Sequence, residues 1–130
     1  ADSVEDTASA DWVAADIRRR CDSIVLCAPR MPSERLAALE DELAPAVLIN
    51  RSGDGLTAPS VSVDYAAGIR ALAEHAYAQG HRRFAYLEGP SSSMSNSRRL
   101  DGLAAFLADH SGVTLTRLRA GDRRTDGERV

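Results

Sequence analysis

The chain has 130 residues with 16 basic and 19 acidic side chains, a formal net charge of -3 and 44% hydrophobic residues, which is ordinary for one soluble domain. Folding at this length removes roughly two thirds of the unfolded chain's surface from water, so one core can form without disulfide or metal staples and a second complete domain does not fit. The negative balance argues against a protein whose main surface grips nucleic acid, because that task needs a concentrated positive field to displace phosphate counterions.

All the basic residues are arginine; together with the abundant alanine this reads mainly as a coding bias, although a guanidinium also suits bidentate recognition of polar ligands. Cys21 and Cys27 do not form a C-x-x-C pair and point to a reducing compartment. The start lacks a basic cluster followed by an apolar stretch, and no segment approaches about 18 consecutive apolar residues, so neither a signal peptide nor a membrane span is expected and a cytoplasmic location follows.

In chain order, Ala8 to Arg20 has Trp12, Val13 and Ile17 at helical offsets and feeds a β-branched strand over Ser23 to Cys27. Cys27 ends that apolar run, where a free thiol behaves as a small hydrophobe. A helix follows with Leu36, Leu39 and Leu43 on one face and Ser33 as its expected N-cap, until Pro45 stops it. Ala46 to Asn50 reads as a buried strand, Arg51 to Gly55 as a turn-rich loop, and Ser60 to Val63 as a short strand. Asp64 is an N-cap for an alanine-rich helix running to about Gln79, closed by Gly80. Arg83 to Glu88 is a strand, Gly89 to Asn96 a loop, and Ser97 to His110 a helix with Leu100, Leu103, Phe106 and Leu107 on one face; Gly112 closes it. Val113 to Leu118 alternates into a last strand, and the charged segment from Gly121 to Val130 reads as a loop with the start of a helix.

Strands separated by helical crossovers imply a parallel sheet with right-handed connections, an α/β doubly wound arrangement. Connections from helix into strand are tight, whereas those leaving strands are long or polar, which puts function at the carboxyl edge of the sheet. There the loop Gly89 to Asn96, with Ser97-Arg98-Arg99, sets hydroxyls, an amide and arginines around a helix start suited to a polar or anionic ligand; the plainer reading is a solvated serine loop with an N-cap. Asn50-Arg51 leaves a strand expected near the sheet centre and is either a ligand contact or a turn starter. Arg18-Arg19-Arg20 reads as a solvated helix end rather than a nucleic-acid patch. His75, His81 and His110 are scattered surface or capping residues without metal-ligand spacing. No nucleophile elbow, glycine-rich dinucleotide loop, phosphate-loop lysine or conspicuous carboxylate pair is present, so no catalytic residue, metal or cofactor is expected.

From about Cys21 to Arg119 the order of motifs resembles the effector-binding domain of the LacI/GalR family of bacterial transcriptional regulators. The resemblance is carried by CDSIVLCAPR, PAVLINR, SVSVDYAAGIRALAEHAYAQGHRRFAYLEGP and SNSRRLDGLAAF, with the Asp64, Gly68, Gly80-His81-Arg82, Gly89-Pro90 and Arg99-x-x-Gly102 landmarks at the family's spacing. It implies a periplasmic-binding-protein-like type I fold, with residues 1–120 a partial first lobe and 121–130 beginning the crossover toward a second lobe. The opening strand, the second lobe and the DNA-binding domain are expected to be absent, leaving hydrophobic edges unpaired. By the same resemblance Asn50 and Arg51 reach ligand hydroxyls from a strand end, Ser95 is the small hydroxyl residue of the loop before a helix, and Arg99 grips the effector from that helix's first turn. Ser93 and Met94 complete the expected ligand-binding set.

Two departures accompany the match: Asn50 stands where relatives often carry Asp, and Ala28 replaces what in some relatives is a polar contact, so with Met94 the ligand is expected to be less hydroxyl-rich than a pentose or hexose. The implied function is sensing a small polar effector, a sugar or related metabolite, that modulates operator DNA binding by a homodimer through a domain outside this chain, with no membrane contact. A sugar transporter's solute receptor and an α/β enzyme acting on a sugar or phosphate are the competing readings.

Overall fold

A computed structural model describes residues 16–52 and 55–121. Its elements are β1 (Ile24–Cys27), α1 (Ser33–Leu43), β2 (Ala46–Ile49), β3 (Ser60–Val61), α2 (Tyr65–Ala78), β4 (Arg83–Glu88), α3 (Met94–Asp109) and β5 (Thr114–Arg119). All pairings are parallel, in one ladder of order β1-β2-β3 and a second of β4-β5. The alternation of strand and helix expected from the sequence is therefore present. The chain divides between Val63 and Asp64 into two compact units.

In the first unit the period-two alternation of the strands decides which side chains meet α1. Ile24 of β1 is buried with Leu43, and Leu48 of β2 with Leu36 and Met31, while Leu26 and Leu39 pack against both groups. Leu36 is fully enclosed, which contributes about 1.5–3 kcal/mol by removal of apolar area from water. The opposite face follows from the same alternation: Val25 pairs with Val47 across the ladder, and both are exposed together with Val61 and Cys27. Cys27 is thus an exposed residue rather than a core one, because it shares the parity of Val25. β1 ends its ladder, bonded only to β2 among the described residues.

The second unit has one core, made of Ala73 from α2 and Leu103 and Phe106 from α3, with Phe84, Tyr86 and Leu115 closing it from the strands. Asp64 caps α2 as expected, its Oδ1 accepting from the Ala67 amide at 2.9 Å. Gly80 ends the same helix at φ +95°, a left-handed value that a residue with a Cβ reaches only with strain. Gly102 has a different reason: a Cβ there would lie 2.3 Å from the Ala66 carbonyl oxygen and 2.7 Å from Ile69 Cγ2, so α3 lies against α2 because the side chain is missing.

Several expectations are corrected. Ser33 does not cap α1; Pro32 holds the N-cap position with no side-chain bond, and the Ser33 hydroxyl is taken up by Arg51. The third strand is two residues rather than four. α3 starts at Met94, three residues before the expected Ser97, because Ser93 takes the capping role and accepts from the Asn96 amide at 3.3 Å. Arg18 is half-buried rather than solvated and donates to the carbonyls of Ala44 and Cys21, while Arg19 and Arg20 are exposed. His110 does cap α3, and its ring lies against Phe106 and Tyr77. Of the expected helix from Ala8 to Arg20, residues 16–18 are helical, 19–20 form a turn, and 8–15 lie outside the described residues, as does the segment following Gly121.

Candidate functional site

The end of β2 is shaped by backbone conformation before any side chain acts. Asn50 sits at φ 54°, a left-handed value that asparagine tolerates better than most residues. Its amide donates to the Val61 carbonyl at 2.8 Å, so the turn is locked onto β3. The half-buried Asn50 side chain makes no hydrogen bond among the described residues and remains available as donor and acceptor.

Arg51, next in sequence, does the opposite. It is 5% exposed, and its Nη2 donates to the Met31 carbonyl at 2.9 Å and to Ser33 Oγ at 3.0 Å. Burial pulls its pKa down from the ordinary arginine value; the group stays cationic, as guanidinium does in proteins. Arg51 therefore anchors the loop before α1 and presents its charge inward. The far end of the β2–β3 loop is tied to the same helix by Glu40, whose carboxylate accepts from the amides of Ala58 at 2.7 Å and Thr57 at 2.8 Å, and from the Thr57 hydroxyl at 3.0 Å. These bonds, Ala58's first, hold the Glu40 carboxyl below its usual pKa because they favour the charged form.

In the second unit the corresponding strand end is β4, followed by Gly89, Pro90 and the serines. Asn96 organises this turn. It is 6% exposed, and its Oδ1 accepts from the Tyr86 hydroxyl at 2.9 Å and from the Gly89 amide at 3.0 Å, fastening the start of α3 to the end of β4. The Ser93 and Ser95 hydroxyls lie 3.0 Å apart and form a joined pair at the helix start. Met94 is half-buried as the first residue of α3.

Arg99 lies in the second turn of α3, not the first, because the helix begins earlier than expected. Its guanidinium carbon sits 4.6 Å from the centroid of the Tyr65 ring at the start of α2, a cation–π contact that orients the fork without occupying its N–H donors. Among the described residues Arg99 has neither a carboxylate partner nor a hydrogen bond. Ser95, expected in the preceding loop, is likewise in the helix.

Of the expected set, Ser93, Met94, Ser95 and Arg99 are thus brought together at the start of α3, while Asn50 and Arg51 belong to the first unit. Sequence reasoning missed Glu40 and the organising role of Asn96. A signal for Asn96 was present, since an N-cap serine three residues before a polar side chain marks a helix start, but its bonds to Tyr86 and Gly89 depend on folding. Among the described residues no group of His, Cys, Asp and Glu is arranged to hold a metal ion, and no helix is long and apolar enough to cross a membrane.

Parallel strands with interleaved helices and polar turns at the strands' carboxyl ends place the molecule in the open α/β class of periplasmic-binding-protein-like folds. The family model for periplasmic binding proteins and the sugar binding domain of the LacI family matches residues 3–128. The chain belongs to that family, as the motif order implied. The HTH-type transcriptional regulator GalR of Escherichia coli (strain K12) is 34% identical over 97 residues, covering 75% of this chain and 28% of that protein. A LacI-family transcriptional regulator from Burkhoderia phymatum superposes with a TM-score of 0.74 at 29% identity, over 85% of this chain and 41% of the other. The trehalose repressor of Escherichia coli gives 0.67 at 28% identity, over 90% and 46%. The chain thus spans little more than a quarter of the curated GalR relative's length.

Proposed function

We propose that this chain is the ligand-sensing part of a cytoplasmic bacterial transcriptional regulator of the LacI type. In this reading residues 1–120 are part of the first lobe of its effector domain and 121–130 lead toward a second lobe. The effector is a small polar metabolite, a sugar or close relative, whose binding changes the operator affinity of a homodimer through a separate DNA-binding domain.

The observation that carries the reading is Arg99, a half-buried guanidinium oriented by Tyr65 with its hydrogen-bond donors free, on the helix that matches the family's motif. Ser93 and Ser95 supply hydroxyls at the start of the same helix and Met94 an apolar wall; in the first unit Asn50 offers an open amide, on a strand end that Arg51 fixes. Asn50 in place of an acidic residue shifts preference away from ligands recognised solely by donating hydroxyls.

The test is a thermal-shift screen of the regulator containing this sequence against sugars, sugar phosphates, nucleosides and small acids, repeated with Arg99→Ala. A ligand that binds the native state alone stabilises it by about 2.7 kcal/mol at a hundredfold excess over its Kd. The expected outcome is a shift from one chemical class that disappears in the variant and is matched by altered operator affinity at fixed salt. A shift of equal size in Arg99→Ala, or turnover of the compound, overturns the assignment.

A further inference from the structure

The carboxyl end of α3 carries a cluster of charged and aromatic side chains that the proposed effector contacts do not use. His110, the C-cap residue, sends its backbone N–H to the Leu107 carbonyl, so the Phe106 carbonyl lacks the amide that another helical turn would supply. The imidazole fills that place, with Nδ1 at 2.9 Å from the Phe106 oxygen. The other ring nitrogen, Nε2, lies 3.2 Å from a carboxylate oxygen of Glu74 on α2.

Both of these partners are acceptors. A carbonyl has no proton to give, so Nδ1 carries the hydrogen of that bond, and a neutral imidazole then has a bare lone pair at Nε2. Such a lone pair would face the Glu74 oxygen with no hydrogen between them. The contact becomes a charge-assisted hydrogen bond when Nε2 is protonated as well.

The wider surroundings do not override this local requirement. On α2, Arg70 stands 3.6 Å from the other Glu74 oxygen and also holds Asp109 of α3 at 2.6 Å. Arg82, from the turn after α2, lies over the Tyr77 ring at 3.7 Å from its centroid. Glu74 and Asp109 thus balance Arg70 and Arg82, and the direct contact at Nε2 decides. The His110 side chain is only 18% exposed, with Phe106 stacked on it at 4.5 Å and Tyr77 edge-on at 4.4 Å. Aromatic faces and the negative end of a helix both favour a cation there.

We propose that His110 is a proton-operated clasp between α2 and α3. With a proton on each nitrogen, the imidazolium joins the Phe106 carbonyl to the Glu74 carboxylate. When Nε2 gives its proton to water, the bond to Glu74 is lost and the last turn of α3 is freed from α2. The clasp is complete on the acid side of the range in which imidazoles change charge, about pH 5 to 8, and opens as pH rises through it. It lies at the end of the helix pair away from Tyr65 and Arg99, and it stands or falls without the effector reading.

Amide hydrogen exchange of the 130-residue chain, corrected for the intrinsic effect of pH on exchange, tests the clasp alongside heteronuclear NMR of the His110 ring nitrogens. From about pH 5 to about pH 8 the opening equilibrium of the last turn of α3 should rise about two- to fivefold, the range of a partly exposed ion pair. His110→Gln and Glu74→Gln each replace a titrating partner by a neutral amide at a site outside the buried core, and both should flatten the profile with the second unit still folded. In the wild-type chain the ring signals should show both nitrogens protonated where protection is greatest and Nε2 bare where it has fallen. An equal pH dependence in all three chains, or a bare Nε2 at maximal protection, overturns the proposal.

Discussion

Arg51 and Arg99 stand after strand ends in the two units, and the fold gives them opposite tasks. Arg51 is turned into the first unit, where a carbonyl and a hydroxyl take up its Nη2, and its Nε is buried without an acceptor among the described residues. Arg99 lies in the second turn of α3, with its guanidinium over the Tyr65 ring and its donors without a hydrogen-bond partner among the described residues. One residue type serves as internal anchor in one place and as an open recognition group in the other. The difference arises from position: Arg51 follows a buried strand directly into a loop covered by α1, while Arg99 continues the Leu103–Phe106 stripe of α3 beyond the core, to the start of α2 where Tyr65 meets it.

Several substitutions would break or sharpen that contrast. The largest effect is expected from Phe106→Ala, which empties the centre of the second unit's core; it should destabilise by about 3–5 kcal/mol in chemical denaturation. Gly102→Ala follows at about 1–3 kcal/mol, because the added methyl meets a backbone carbonyl that can move only with its helix. A lowered Tm with unchanged helical circular dichroism would support this account, and an unchanged Tm would refute the close approach of α2 and α3.

Arg51→Met keeps the volume and removes the donors, leaving the Met31 carbonyl and the Ser33 hydroxyl without their partner; the expected loss is about 1–2 kcal/mol in urea unfolding. Arg99→Ala should lower stability by less than about 1 kcal/mol, the range of an exposed cation–π contact, while abolishing the effector-induced shift. If the two arginines exchanged these outcomes, the contrast between anchor and open recognition group would be reversed.

The smallest change concerns acid. The folded-state pKa of Glu40 is depressed by the Ala58 and Thr57 amides, so its contribution is complete above the unfolded carboxyl pKa and is lost as pH falls through the folded value. Tm measured from neutral pH into the acid range should therefore fall more steeply in the wild-type chain than in Glu40→Gln, with about 1 kcal/mol or less separating them at neutral pH given the partial exposure. Parallel curves would show that the carboxylate does not hold the β2–β3 loop.

Much of the fold was legible before any coordinates. Apolar periodicity located α1, the core face of α3 and β4 over its observed span, and Asp64 and Gly80 bounded α2 by local chemistry that needs no tertiary context. The start of α3 was misplaced because Ser93 and Ser97 are both acceptable caps in sequence. Only the clasp of Asn96 onto Tyr86 and Gly89 makes the earlier one productive. The Ser33 cap failed for the mirror reason, since a buried guanidinium claimed its hydroxyl.

The sequence by itself determined the order of strands and helices, the family and the residue types gathered at the strand ends, because periodicity, capping and motif spacing are short-range properties of the chain. Tertiary structure alone decided which polar groups are consumed by the scaffold and which remain open: Arg51 against Arg99, Glu40 against Asn50, Arg117 against Arg119. Hydrogen-bond partners come from residues distant in sequence, and ladder register, not residue type, sets Glu88 diagonal to Arg117 and opposite Arg119.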